Sequence, residues 1–207
     1  PEHFIFVTLA SYQPQKNYPG LLTAFEEVAR QFPEAQLICA GQPADPQYHE
    51  VVRAYRMKLN AADRVQLHGF RDDPGVLLLA ADAFVLNSFF EGWSLAANEA
   101  IMLGTPLIHS DCGSGRELVG QASERGLLIP NPVGDPMALT RETFFQMAYE
   151  TRQPNTLDLV QAMSRMIEER SEWKSRRPEI REYALAEFNF EKTLQRYGQV
   201  FQDICPR

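Results

Sequence analysis

Short apolar runs alternate with amphipathic segments over the first 130 residues, and this alternation is the feature that most limits the fold. Apolar runs of this length are typical of buried strands, whereas apolar residues three or four positions apart are typical of half-buried helices. Strands that alternate with helices predict an α/β fold, a mainly parallel sheet with helices on both faces. The six predicted strands cover residues 3–10, 35–41, 65–68, 83–87, 106–109 and 126–129.

The pattern changes after the sixth predicted strand. Residues 130–156 begin with turn-forming residues and include a short helical pattern at 138–148, so we interpret this segment as an insertion. Residues 157–207 predict further C-terminal helices, at 157–167 and from about residue 191. The charged run at 168–177, which contains Trp173, is interpreted as a solvated helix end. With 207 residues, we expect a single domain over the whole chain.

Composition excludes several classes of function. The net charge of −7 argues against nucleic-acid binding. The three cysteines form no CxxC pair, so we expect a reducing, cytoplasmic location. The four histidines show no metal-ligand spacing, so we expect no metal ion. No apolar run reaches the roughly 18 residues of a membrane span, so membrane contact is not indicated.

The residues that follow the fourth predicted strand form the main candidate site. Ligands of open α/β sheets bind at the carboxyl ends of strands. Glu91 and Glu99 are separated by about 12 Å if they lie along one helix. A helix that opens near Trp93 or Ser94 places its free N–H groups between them, where a phosphate is favoured. A sugar, a diphosphate and a ribose match that order, although two solvent-exposed glutamates are the alternative.

The sequence resembles the donor-binding, C-terminal domain of retaining GT-B glycosyltransferases of the group 1 (family 4) type. The resemblance rests on Ser88, then Glu91-Gly92-Trp93, Glu99-Ala100 and Gly104-Thr105-Pro106 before an apolar strand. It continues through residues 111–129 and extends upstream to Lys16. It implies a Rossmann-like domain and a nucleoside-diphosphate sugar as donor substrate, with no cofactor.

The resemblance also implies roles for individual residues. Lys16 neutralises the diphosphate and Glu91 faces the transferred sugar, and these two are the expected catalytic residues. Glu99 binds the ribose hydroxyls. The diphosphate is expected to lie against four backbone N–H groups, those of Gly92, Trp93, Ser94 and Leu95.

The base end of the donor site is expected at the second and third strands. Phe70 and Arg71 lie against the base, and Gly41 lets the backbone approach the ligand. Ser11 departs from the family, which commonly has an arginine there, so one cationic contact is missing. Arg71 and Arg116 are candidates to replace it, and a loop salt bridge is the alternative for each.

The resemblance implies glycosyl transfer with retention at the anomeric carbon. The acceptor is expected to bind an N-terminal Rossmann-like domain that this chain lacks, so the chain alone is an inactive half of an enzyme. That domain could hold the protein at the cytoplasmic membrane face, and an apolar rim at Phe89, Phe90 and Trp93 is expected to face it. The alternative is a non-catalytic nucleotide-binding or regulatory module with the same fold.

Overall fold

Six short strands form one sheet in which every neighbouring pair is parallel, in a computed structural model that describes residues 3–205. The predicted α/β class is confirmed, and the strand order is β3-β2-β1-β4-β5-β6. The strands are β1 Phe4–Leu9, β2 Ala35–Ala40, β3 Val65–His68, β4 Ala83–Leu86, β5 Leu107–Ser110 and β6 Gly126–Ile129.

Helices cover both faces of the sheet and bury a separate apolar cluster on each. Side chains of α1, α2 and α7 pack in one cluster, and those of α3, α4, α5 and the second half of α8 pack in the other. The helices are α1 Tyr18–Gln31, α2 Pro46–Arg56, α3 Pro74–Ala80, α4 Leu95–Met102, α5 Gly115–Val119, α6 Arg141–Met147, α7 Thr156–Glu168, α8 Arg170–Glu187 and α9 Phe190–Ile204.

The charged run at 168–177 is not a solvated helix end, as the sequence pattern suggested. Glu168 ends α7, and residues 170–177 form the first part of α8, an 18-residue helix that continues through Pro178. Trp173, Ile180 and Ala184 are buried, at intervals of seven and four residues that put them on one face of a helix. This narrow apolar stripe is difficult to recognise in the sequence, because charged residues occupy most other positions of the helix.

The segment 130–156 contains the short helix α6, which lies beside the end of β4. A capping box at Thr140 and Thr143 begins the helix, and the Phe144 ring packs edge-on against Phe89 and Phe90. Phe89 is therefore fully buried, which corrects its place in the expected apolar rim, whereas Phe90 remains 44% exposed. The interpretation of this segment as an insertion stays a prediction.

The strand order creates a crevice between the carboxyl ends of β1 and β4. From β1 the chain crosses to β2 on one side, whereas from β4 it crosses to β5 on the other side. The loops after the two strands consequently diverge, and ligands of open α/β sheets bind in this type of crevice. The loops that line it carry Lys16 and Glu91, which are 75 residues apart in sequence.

Candidate functional site

The loops after β1 and β4 are joined by two hydrogen bonds that fix the crevice. The Phe89 N–H donates to the carbonyl of Gln15 over 3.0 Å, and the Gln15 side-chain amide donates to the carbonyl of Phe90 over 2.6 Å. A 3-10 turn, Pro14–Lys16, then leads to Asn17, whose φ of +48° is a conformation that asparagine tolerates. The Asn17 side chain accepts from the Gly20 N–H and begins α1. Lys16 is thus held between two fixed points.

Lys16 and Glu91 form an ion pair at the centre of the crevice. The Lys16 Nζ lies 2.6 Å from Glu91 Oε1, and the side chains are only 15% and 7% exposed. A lysine at the protein surface leaves its ammonium in water, so this nearly buried contact distinguishes Lys16 from an ordinary surface lysine. The structure brings together the two residues that the resemblance makes catalytic, and no local sequence signal predicts their contact.

The N-terminus of α4 opens next to this ion pair. Ser94 is the N-cap, and its hydroxyl accepts from the Ala97 N–H over 3.3 Å. Within residues 3–205, no protein group accepts from the N–H groups of Gly92, Trp93 or Leu95. The Ser94 N–H differs from these, because it donates to Ser114 Oγ over 3.1 Å. Three of the four N–H groups predicted for the diphosphate are therefore unpaired among the described residues. The fourth, that of Ser94, is paired with Ser114, and the Ser94 hydroxyl caps α4.

Glu99 lies on α4, with an exposed side chain that makes no hydrogen bond or ion pair among the described residues. Its environment differs from that of Glu91, although both belong to the same motif. The expected division between a sugar end and a ribose end stays a prediction, and the structure places the two carboxylates in different parts of the site.

The base end of the predicted site lies at the ends of β2 and β3. Phe70 is 63% exposed, and Arg71 forms a bidentate pair with Asp73 at 2.9 and 3.0 Å. A Cβ at Gly41 would lie 2.0 Å from the Ala10 carbonyl oxygen, so packing against the end of β1 requires the glycine at that position. This steric reason is additional to the expected approach of a ligand.

The two arginines considered as replacements for the missing cation are both paired. Arg71 is bound to Asp73, and the guanidinium of Arg116 is bound to Asp111. The hydrogen bond to Asp111 raises the pKa of Arg116. Each arginine therefore has a carboxylate partner, as Lys16 has in Glu91, and the role of Arg71 towards a ligand stays a prediction.

Two further residues support the site through hydrogen bonds that were not predicted from the sequence. Ser114 accepts from the Ser94 N–H and its own N–H donates to the Gly92 carbonyl over 3.0 Å. The Asn131 side-chain amide donates to the Phe89 carbonyl over 2.9 Å. Both lie in loops after other strands, so their only sequence signal is a position at a strand end.

His109 ends β5 and is completely buried near the ion pair. Its Nδ1 lies 2.7 Å from the Ser110 carbonyl oxygen, and its Nε2 has no hydrogen-bond partner. Burial lowers the pKa of His109, the Ser110 carbonyl and the Glu91 and Asp111 charges oppose the shift, and Lys16 adds to it. The ring is therefore neutral near pH 7, with its proton on Nδ1.

Other classes of site are not found in the described part of the chain. Residues 3–205 contain no group of three or more histidine, cysteine, aspartate or glutamate side chains placed to hold a metal ion. In the same residues, every helix is too short or too polar to cross a lipid bilayer.

A doubly wound parallel sheet with helices on both faces defines a Rossmann-like α/β domain, and an ion pair and a helix N-terminus lie at its crevice. Residues 1–143 match the family described as glycosyl transferases group 1. The chain therefore belongs to the group 1 glycosyltransferase family.

Individual relatives agree with this assignment. The lipopolysaccharide 1,6-galactosyltransferase of Salmonella typhimurium is 30% identical over 140 residues, which are 65% of this chain and 37% of that protein. Sucrose-phosphate synthase from Thermosynechococcus elongatus superposes with a TM-score of 0.75 at 22% identity, over 98% of this chain and 45% of that one. The Anabaena protein HepE, in complex with UDP and glucose, gives a TM-score of 0.78 at 18% identity, over 98% and 49%. The chain thus spans about a third of the curated relative and about half of each solved chain.

Proposed function

We propose that this chain is the donor-binding domain of a retaining glycosyltransferase and holds a nucleoside-diphosphate sugar at the crevice between β1 and β4. The observation that carries the proposal is the Lys16–Glu91 contact beside unpaired N–H groups at the start of α4. A cation and a helix N-terminus suit a diphosphate, and a carboxylate suits sugar hydroxyls. The complex of HepE with UDP and glucose, on the same fold, supports this class of ligand.

Each part of the donor has a candidate partner in this arrangement. Lys16 and the N–H groups of Gly92, Trp93 and Leu95 bind the diphosphate, and Glu91 accepts hydrogen bonds from the sugar. Glu99 binds the ribose, and Phe70 with Arg71 flanks the base. Binding requires the Lys16 ammonium to turn from Glu91 towards the phosphates, since the ion pair occupies it in this structure.

The proposed reaction moves a glycosyl group from a diphosphate to an acceptor hydroxyl. The bond between the anomeric carbon and the diphosphate oxygen breaks, and the acceptor oxygen forms a bond on the same face of the sugar. The leaving phosphate takes the acceptor proton, so no side chain of this domain serves as a base. Lys16 and the N–H groups at the start of α4 stabilise the charge that develops on the leaving group.

The acceptor is proposed to bind a second domain, outside this chain. The coverage of about half of the solved chains supports this arrangement. Phe90 and Trp93, which are 44% and 46% exposed, form the remaining part of the apolar rim expected to face that domain. Closure of two domains excludes water and aligns the acceptor with the donor.

A thermal-shift panel with UDP-, GDP-, ADP- and dTDP-sugars tests the proposed function. A ligand at 100 times its dissociation constant stabilises the chain by about 2.7 kcal/mol. For a domain of this size that raises the melting temperature by roughly 5–10 °C. We expect one base to give the largest shift and the Lys16→Ala variant to abolish most of it. No shift with any of the four donors, or a shift that Lys16→Ala does not reduce, contradicts the proposal.

A further inference from the structure

Two loops at the candidate site are joined by hydrogen bonds and by close backbone packing. The loop after β4 carries Glu91, and the loop after β5 leads into α5. The Ser94 N–H donates to Ser114 Oγ, and the Ser114 N–H donates to the Gly92 carbonyl. A Cβ at Gly113 would lie 2.3 Å from the Gly92 carbonyl oxygen and 2.6 Å from that of Glu91. The position of the Glu91–Ser94 turn therefore depends on the position of the second loop, against which it packs.

The second loop rests on the imidazole of His109. A Cβ at Gly115 would lie 2.7 Å from His109 Nδ1 and 3.2 Å from its Cε1, so the ring edge is packed against the Gly115 backbone. The ring is fixed by its contact with the Ser110 carbonyl, 2.7 Å from Nδ1, and none of its surface is exposed. Only a glycine at 115 lets α5 begin this close to the ring.

We propose that His109 is a positioning residue for the donor site, which supports Gly115 and thereby fixes the turn that carries Glu91 and the N-terminus of α4. Its role in donor binding rests on the function proposed above, whereas its role in holding the two loops does not. The ring acts in its neutral form. Burial lowers the pKa of His109 and the Lys16 charge adds to this, although the Ser110 carbonyl and the charges of Glu91 and Asp111 oppose it, and a second N–H at Nε2 would have no acceptor to donate to.

Amide hydrogen exchange tests the support without any ligand. In His109→Ala, exchange of the Ser94 and Ser114 amides should accelerate at least tenfold more than exchange of a remote amide. The Phe4 N–H, which donates to the Glu34 carbonyl at the amino end of β1, is a suitable remote reference. Val28→Ala is the control for the loss of a buried side chain, since Val28 is fully buried on α1 within the other apolar cluster. Equal acceleration at all three amides would show that His109 is only a core residue.

A double-mutant cycle tests whether the ring is what Gly115 rests on. Gly115→Ala should accelerate exchange at Ser94 and Ser114 at least fivefold in the wild type, because the new methyl group meets the ring. In the His109→Ala background, Gly115→Ala should accelerate the exchange of these two amides by a smaller factor. The imidazole is then absent, and the new methyl group meets only the Ser110 carbonyl oxygen. If Gly115→Ala accelerates exchange by the same factor in both backgrounds, the proposal is overturned.

Calorimetry with UDP, GDP, ADP and dTDP then connects the support to binding. The nucleotide that binds the wild type most tightly should bind His109→Ala at least fivefold more weakly and Val28→Ala with unchanged affinity. Unchanged affinity in His109→Ala, with the two amides exchanging faster, overturns the link to donor binding. If none of the four nucleotides binds the wild type, the proposed function fails, and the exchange experiment still decides whether His109 positions the loops.

Discussion

Replacement of Glu91 by glutamine separates the two roles that the ion pair combines. From the sequence alone, this change should leave binding of a free nucleoside diphosphate unaffected, because Glu91 is assigned to the sugar. The structure changes that prediction. Glu91 holds the Lys16 ammonium at 2.6 Å, so a diphosphate has to compete with the carboxylate for the same cation.

The size of the effect follows from the burial of the pair. With side chains only 15% and 7% exposed, solvent screens the contact weakly. A hydrogen bond to a charged group contributes about 1.5–3 kcal/mol. Part of this is recovered in the wild type, because Glu91 gains sugar or water contacts when the pair opens. We therefore expect Glu91→Gln to bind a free nucleoside diphosphate about 1–2 kcal/mol more tightly, which is roughly 5–30-fold in the dissociation constant.

Relative to the free nucleotide, the sugar nucleotide should bind Glu91→Gln more weakly than it binds the wild type. Glutamine keeps one acceptor oxygen and loses the charge, so hydrogen bonds from sugar hydroxyls weaken. Isothermal titration calorimetry with both ligands measures the ratio of their dissociation constants, which should shift by about tenfold against the sugar nucleotide. Glu99→Gln is the matched control, since it removes the same charge from an exposed, unpaired carboxylate of the same motif, and should weaken both ligands alike.

Two results would refute this reasoning. If Glu91→Gln binds the free nucleotide with unchanged or lower affinity, nucleotide binding does not require Lys16 to leave Glu91. The Lys16–Glu91 ion pair then persists in the nucleotide complex. If it weakens both ligands equally, Glu91 does not lie at the sugar end of the site.

Four further predictions concern the ion pair, His109 and the isolated chain. Lys16→Ala should weaken nucleotide binding by about 1.5–3 kcal/mol and also lower the melting temperature, because it leaves the nearly buried Glu91 carboxylate unpaired. The double variant Lys16→Ala with Glu91→Gln should recover the melting temperature and not the affinity, and recovery of both would disprove the role of Lys16. The lowered pKa of His109 means that the folded state resists protonation, so its contribution to stability is complete above pH 6.5 and is lost as pH falls further. Denaturant unfolding between pH 7.5 and 5 should show this slope in the wild type and a shallower one in His109→Ala, and identical slopes would contradict it. The isolated chain should transfer no sugar from its best donor to any acceptor in a panel, because the acceptor is proposed to bind a second domain, and clear turnover would show that these 207 residues are a complete enzyme.

The sequence by itself determined the six strands, the start of α4 and the motif. Each of the six predicted strands overlaps an observed strand within two residues at either end, and the third and sixth match at both ends. The start of α4 was predicted within two residues of Leu95, because an N-cap serine after a glycine turn is a local signal. Strand and helix periodicities depend on neighbours a few positions apart, so they can be read without knowledge of the fold.

Only the tertiary structure decided which of these residues meet. The strand order places β1 beside β4, and this alone brings Lys16 to Glu91 across 75 residues of sequence. The same non-local packing buries Trp173 within a charged run and places His109 beneath the loop that begins α5. Such contacts depend on which distant segments pair in the sheet and cover its faces. The free energy that selects this pairing is spread over the whole core, so no single motif records it.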